Sequence, residues 1–145
     1  MSKQNALMNQ YVADLAVLNV KFHNLHWNVV GERFEPVHVY VEKLYDSLFE
    51  KYDEVAERLK MQDVYPLASM KSYLETTKVE EIENRDYQIP EVMQILKQEL
   101  EHLKALATEI RHLADEAEDF VTVAMLEDHV AEYDKELWFI ASAIK

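Results

Sequence analysis

The chain has 145 residues, 49% hydrophobic and 30% charged, with one Gly, three Pro and no Cys. That is the material of one domain, 1–145, and it excludes general disorder, a many-turned sandwich or barrel, disulfides and thiolate chemistry. Lys and Arg number 15 against 28 Asp and Glu, a formal charge of −13, which repels a phosphate backbone; direct DNA binding is not expected, and a surface that draws cations is.

Apolar residues recur at helical spacing in four long stretches. The first runs from about Gln4 to Val30, with Leu7, Tyr11, Leu15, Leu18, Phe22 and Leu25 on one face and Gly31 expected to end it in a left-handed conformation. Pro36 suits the first turn of a second helix reaching about Met61, with Val37, Val41, Leu44, Leu48, Tyr52, Val55 and Leu59 as its core stripe. After Pro66 a short helix is predicted around Ser69–Glu75, and Lys78–Arg85 reads as a charged connection. Pro90 opens a third long helix to about Ala114, lined by Val92, Leu96, Leu100, Leu103, Ala107 and Ile110, and the acidic break Asp115–Asp119 leads into a fourth, about Val121 to Ile144. Four helices with one long middle connection describe an all-α, ferritin-like four-helix bundle with a short extra helix between helices 2 and 3. No apolar run approaches the roughly 18 uncharged residues of a membrane span, and the start MSKQNALMNQ has no secretory apolar core, so a cytoplasmic location away from any membrane is expected.

The second helix carries metal-ligand chemistry on one stripe. With His38 at 0° and about 100° per residue, Glu42 falls near 40°, Asp53 near 60° and Glu57 near 100°. Imidazole with carboxylate suits iron, manganese or zinc, and the lack of sulfur argues against a structural zinc site. One chain cannot assemble the set, because His38 and Glu57 are about 28 Å apart along the helix. Their position numbers total 95, as do those of Glu42 and Asp53. Two copies of the helix, antiparallel about a two-fold axis near residues 47 and 48, would set His38 against Glu57 of the second copy and Glu42 against its Asp53. Taken from spacing alone, the same stripe also reads as a solvated acidic face. His23 and His26 flank it, with Trp27 beside them as a packing residue.

The run His26-Trp27-Asn28-Val29-Val30-Gly31, followed by Val37-His38 and Glu42, resembles the signature of the Dps family, the ferritin-like DNA-protection-during-starvation proteins. Asp53-Glu54-Val55-Ala56-Glu57-Arg58-Leu59 is similar to the family's second motif, and the helix pattern matches along essentially the whole chain. The resemblance implies a ferroxidase: a hollow dodecamer built from two-fold dimers that oxidises Fe(II) with hydrogen peroxide at inter-subunit sites and stores the Fe(III) mineral. It implies His26, His38 and Glu42 from one chain as metal ligands and Asp53 and Glu57 from the two-fold partner. It also implies Trp27 as a nearby electron donor, Asp115 as an acid of the iron-entry pore, and zinc or manganese as competitors. Three departures stand out: Glu42 where the family more often has Asp, Gln62-Asp63-Val64 in place of a Gly-Gly turn, and Phe120 and Ala124 at two pore positions, with Glu116, Glu118 and Asp119 as substitutes. Lysine-rich DNA-binding tails are absent, so protection would be chemical.

Two other readings remain open on the residues. An ordinary di-iron bundle with an intra-subunit site would use Glu-x-x-His pairs, and Glu99-x-x-His102 and Glu109-x-x-His112 have that form, but both lie on the third long helix. A metal-free helical scaffold would be indifferent to replacement of His38 or Glu57.

Overall fold

A computed structural model describes residues 1–145. The elements are α1 (Lys3–Asn28), β1 (Val29–Val30), α2 (Phe34–Met61), α3 (Met70–Thr76), β2 (Tyr87–Gln88), α4 (Ile89–Glu116) and α5 (Phe120–Ala143). α1 packs with α2 and α4 with α5, α1 also touches α3 and α4, and the four long helices form the ferritin-like bundle. The apolar stripes on α1, α2 and α4 meet in one core. Tyr11, Leu15, Leu18, Phe22, Leu25, Val41, Leu96, Leu103 and Ile110 are each fully excluded from solvent.

Local chemistry sets the ends. Ser2 caps α1 by accepting from the Asn5 amide at 3.1 Å. Pro36 and Pro90 lie in the first turns of α2 and α4, where the missing N–H has no helical partner. α2 closes without glycine. Val64 N–H donates to the Leu59 carbonyl at 3.0 Å and Asp63 N–H to that of Lys60 at 3.0 Å, a Schellman turn with Asp63 at φ 60°. α4 closes the same way: Asp119 N–H reaches the Ala114 carbonyl, Glu118 N–H reaches that of Asp115, and Glu118 sits at φ 59°.

The expected end of the first helix is corrected by two residues. α1 stops at Asn28, because Val29-Val30 leaves the helix to pair in parallel with Tyr87-Gln88. Two β-branched residues favour the extended state, and this pairing anchors the far end of the long connection. Gly31 is therefore the turn between β1 and α2, at φ +135°, and not a helix cap. A Cβ there would lie 3.2 Å from Ile89 Cδ1, which can yield, but the backbone angle cannot. Gly31→Ala is expected to lower stability by about 1–3 kcal/mol, measured by urea unfolding.

Buried polar groups fix the rest. Asp119, the N-cap of α5, accepts from Gln4 (2.9 Å), Arg58 (2.8 Å), Gln62 (2.7 Å) and the Thr122 amide (3.4 Å), tying α1, α2 and α5 together. Burial raises its pKa, but these bonds outweigh burial and hold the carboxyl well below its usual range. The helix-binding work leaves Asp119 unsuited to substitute as a pore acid.

Candidate metal centre

The end of α1 and the start of α2 bring His26 and His38 face to face, with ring centroids 3.6 Å apart and planes 12° apart. Each Nδ1–H donates to the other's backbone carbonyl: His26 to His38 at 2.7 Å, His38 to His26 at 2.6 Å. The His26 carbonyl belongs to the last turn of α1, where carbonyls lack helical partners. A carbonyl can only accept, so both Nδ1 atoms carry a proton, and in the neutral rings each Nε2 keeps the lone pair. That is the arrangement by which an outer hydrogen bond orients an imidazole for a metal ion.

Glu42 lies one turn along α2 from His38, its Oε1 3.8 Å from His26 Nε2, with its side chain half-exposed. Tyr45 donates to the same oxygen at 3.4 Å. The Tyr45 ring meets His26 edge-on at 5.3 Å and stacks on His23 at 3.7 Å. His23 in turn donates through Nδ1 to the Asn19 carbonyl at 2.6 Å and meets Trp27 edge-on at 5.5 Å. Phe34 stacks on His38 at 4.9 Å. The result is a wall of rings around two imidazoles, with Trp27 itself 69% exposed. Burial raises the Tyr45 phenol, and the Glu42 and Asp46 charges raise it further, so it stays protonated and keeps its proton for Glu42.

Asp53 and Glu57 are not part of this group. They stand on the same helix 15 and 19 residues beyond His38, about 22 and 28 Å away at 1.5 Å per residue. Both are exposed. A hydrogen bond to Asp53 and repulsion from its charge raise the Glu57 carboxyl, as expected of two carboxylates one turn apart with no cation between them. Phe49, 56% exposed, lies between the two halves of the ligand set on the open side of α2. No three His, Asp or Glu side chains of the single chain close into a metal cage.

The Glu-x-x-His pairs of α4 are engaged elsewhere. Glu99 Oε1 receives Lys21 at 3.2 Å and His102 Nε2 bonds Asp14 at 2.8 Å, while Glu109 pairs with Lys3 at 3.5 Å and His112 faces solvent. The intra-subunit reading therefore has no donor set. Lys51, buried on α2, bonds Glu132 of α5 and Ser47. Asp115 is exposed at the end of α4, 3.7 Å from Arg111. A surface groove lined by Lys3, Glu101, Lys104, Thr108 and His112 among others contains none of the expected ligands.

Sequence reasoning did not single out Tyr45, nor His129 in the bundle core. The only signal in the chain for Tyr45 is its spacing of seven from His38, which places it on the same side of α2.

The ferritin-like domain model matches residues 5–145. The chain is 36% identical over 135 residues to the DNA protection during starvation protein of Listeria innocua, covering 90% of this chain and 85% of that protein. It is 33% identical over 138 residues to antigen TpF1 of Treponema pallidum, covering 95% and 78%. Among solved structures, the Helicobacter cinaedi protein CAIP superposes with TM-score 0.96 at 31% identity, over 99% of this chain and all of that one. A Dps protein from Vibrio cholerae, described as a ferritin-like diiron-carboxylate protein, superposes with TM-score 0.91 at 30% identity, over 98% and 88%.

Proposed function

Because the chain belongs to the Dps family of ferritin-like proteins, we propose that it is a ferroxidase: it oxidises Fe(II) with hydrogen peroxide at sites shared between two-fold related copies and stores the Fe(III) product inside a dodecamer. The observation that carries this reading is the reciprocal pair of bonds between His26 and His38, which leaves two Nε2 lone pairs side by side.

Each residue has a physical task. His26 and His38 hold Fe(II) as neutral donors and leave coordination positions open for oxidant. Glu42 adds a hard oxygen donor, oriented by Tyr45, and its longer arm relative to Asp lets it ligate directly or through water. Asp53 and Glu57 of the second copy supply anionic oxygens that favour Fe(III) over Fe(II) and bridge a second iron. Their mutual repulsion in the single chain is relieved when a cation binds between them. The exposed Phe49, on the stripe that the two-fold axis would cross, supports the antiparallel packing that brings the halves together. Trp27, edge-on to His23, is placed to give an electron when only one iron is loaded.

Two Fe(II) reduce one peroxide to water without releasing a hydroxyl radical, and this is the protective chemistry. With a formal charge of −13, the chain protects DNA by removing reactants, not by coating the duplex. Asp115 is assigned to the iron-entry path, with Arg111 moderating its charge. The imidazole and carboxylate donors accept zinc or manganese as well as iron, so both compete with Fe(II). The reaction takes place in the cytoplasm, in one domain spanning 1–145.

The experiment is an anaerobic Fe(II) titration of the sized assembly, followed by separate additions of peroxide and oxygen. Binding that saturates at the two-fold sites, with faster oxidation by peroxide, is expected. A monomer that binds Fe(II) at full stoichiometry overturns the shared site.

A further inference from the structure

A line of polar groups crosses the dry centre of the bundle. Tyr11 and Tyr133 are 0% and 1% exposed and share a short hydrogen bond. Tyr11 O–H lies 2.9 Å from His129 Nδ1, and His129 Nε2 lies 2.8 Å from Glu54 Oε1. Glu54 sits on α2, and its side chain is 56% exposed. The direction of the line is fixed by its last member. A carboxylate accepts, so Nε2 carries the imidazole proton and Nδ1 offers a lone pair; Tyr11 O–H donates to it, and Tyr133 O–H donates to Tyr11. Burial lowers the His129 pKa, more than the Glu54 bond raises it, and keeps the ring neutral and able to accept. Burial likewise pushes both phenols up, so they remain protonated.

Packing does not require this. Phenylalanine at both tyrosine positions would fill nearly the same volume without burying two hydroxyls. What the arrangement provides is a phenol whose proton has a waiting base, in a place solvent does not reach. Such a phenol gives up an electron more readily than one with no base, because the proton leaves with it. The line ends at Glu54, the residue next to Asp53 and one turn from Glu57.

We propose that Tyr11, backed by Tyr133 and His129, is a one-electron donor to the iron site that its own subunit completes through Asp53 and Glu57. This rests on the shared-site reading above. Reduction of one peroxide to two waters takes two electrons and two protons. When a site holds one Fe(II), the iron gives the first electron and becomes Fe(III). Tyr11 gives the second: its O–H bond breaks, the proton passes to Nδ1 of His129, and a neutral tyrosyl radical remains. The two protons that complete the waters come from solvent. No hydroxyl radical is released, even though the second iron is missing. Trp27 serves the same site from the other subunit, whereas Tyr11 is fully buried within its own bundle, so a radical on it is closed to solvent.

The test uses the full assembly loaded anaerobically with one Fe(II) per site, mixed with peroxide and frozen for electron paramagnetic resonance. A neutral tyrosyl signal is expected, narrowed when ring-deuterated tyrosine is incorporated, weakened in Tyr11→Phe and lost in Tyr11→Phe/Tyr133→Phe. It should also fall in the unaltered protein loaded with two Fe(II) per site. Iron oxidation without any tyrosyl signal, or a signal undiminished in the double variant, overturns the relay and leaves the iron site standing. Absence of iron oxidation in the unaltered protein overturns both. Should the double variant fail to assemble, the label and the Tyr11→Phe variant decide: the line must narrow with the one and shrink with the other.

Discussion

Co-assembly of equal amounts of two inactive variants, His26→Ala/His38→Ala and Asp53→Ala/Glu57→Ala, is expected to regain about a quarter of the rapid Fe(II) oxidation of the unaltered protein. Each variant alone should lose about 100-fold or more, since each removes two donors from every site. The recovery follows from the geometry of the two-fold. Each dimer holds two sites, and each site takes its histidines from one copy and its Asp53 and Glu57 from the other. Random pairing makes half the dimers mixed. In a mixed dimer one site receives intact histidines and intact acids, while the other receives neither, so a quarter of all sites are whole. A site confined to one subunit predicts no recovery, because neither chain is complete. Stopped-flow absorbance of Fe(III) after peroxide addition reads the result. The variants should keep the fold, because Asp53 and Glu57 are exposed and neither His26 nor His38 belongs to the apolar core cluster.

How far the sequence carried depends on which forces were at work. Helices whose apolar residues repeat every three or four positions were legible, and Val92, Leu96, Leu100, Leu103, Ala107 and Ile110 all lie inside as the stripe requires. The short helix after Pro66 was legible too, expected around Ser69–Glu75 and found at Met70–Thr76, with Ser69 as its cap accepting from the Ser72 amide. What failed was the end of α1. Gly31 looked like a helix stop, but the stop comes at Val29-Val30, which find an extended partner 58 residues away in Tyr87-Gln88. Nothing local announces that partner. The end of α2 at Met61 was legible and that of α4 fell within two residues of the expected Ala114, but the turns that follow were not, because Asp63 and Glu118 hold left-handed positions that usually signal themselves as glycine.

For the site, the stripe on α2 stood out because four candidate ligands shared one face, and the motif runs supplied His26, which helix geometry could not. The reciprocal bonds between His26 and His38 were not readable, since each depends on where α1 breaks. The Glu-x-x-His pairs of α4 were already set aside for lying on one helix, and Lys21 and Asp14 on α1 show what Glu99 and His102 do instead. The Tyr11–His129–Glu54 line joins residues 118 and 75 positions apart, so it exists only in the assembled bundle.

Asp14→Ala is expected to cost about 3 kcal/mol, because it strands several buried donors at once. Asp14 is fully buried and accepts from Gln10 (3.2 Å), Thr77 Oγ1 (2.6 Å), the Lys78 amide (2.8 Å) and His102 (2.8 Å). Burial raises its pKa, but the bonds from His102, Thr77, Lys78 and Gln10 together overcome burial and hold the carboxyl below its ordinary value. The same bond raises His102 against the opposing effect of burial. The two shifts give opposite pH limits. The Asp14 contribution is full above the ordinary carboxylate value of about 4 and is lost as pH falls through the lowered one. The His102 contribution is full below about 6.5 and is lost as pH rises through the raised value. The stability difference between the unaltered protein and Asp14→Ala should thus be largest between about pH 4 and 6.5 and shrink on either side. Denaturant titrations across that range measure it, and a difference independent of pH would refute the assignment. The loss should also reach the metal centre. Asp14 pins Thr77 and Lys78, Lys21 pins the Glu80 carbonyl at 2.7 Å, and the connection then runs to Tyr87-Gln88, which pair with Val29-Val30 just after His26. Freeing the near end of that connection removes one of the two supports holding the carbonyl of His26 opposite His38, so Fe(II) affinity should fall along with stability.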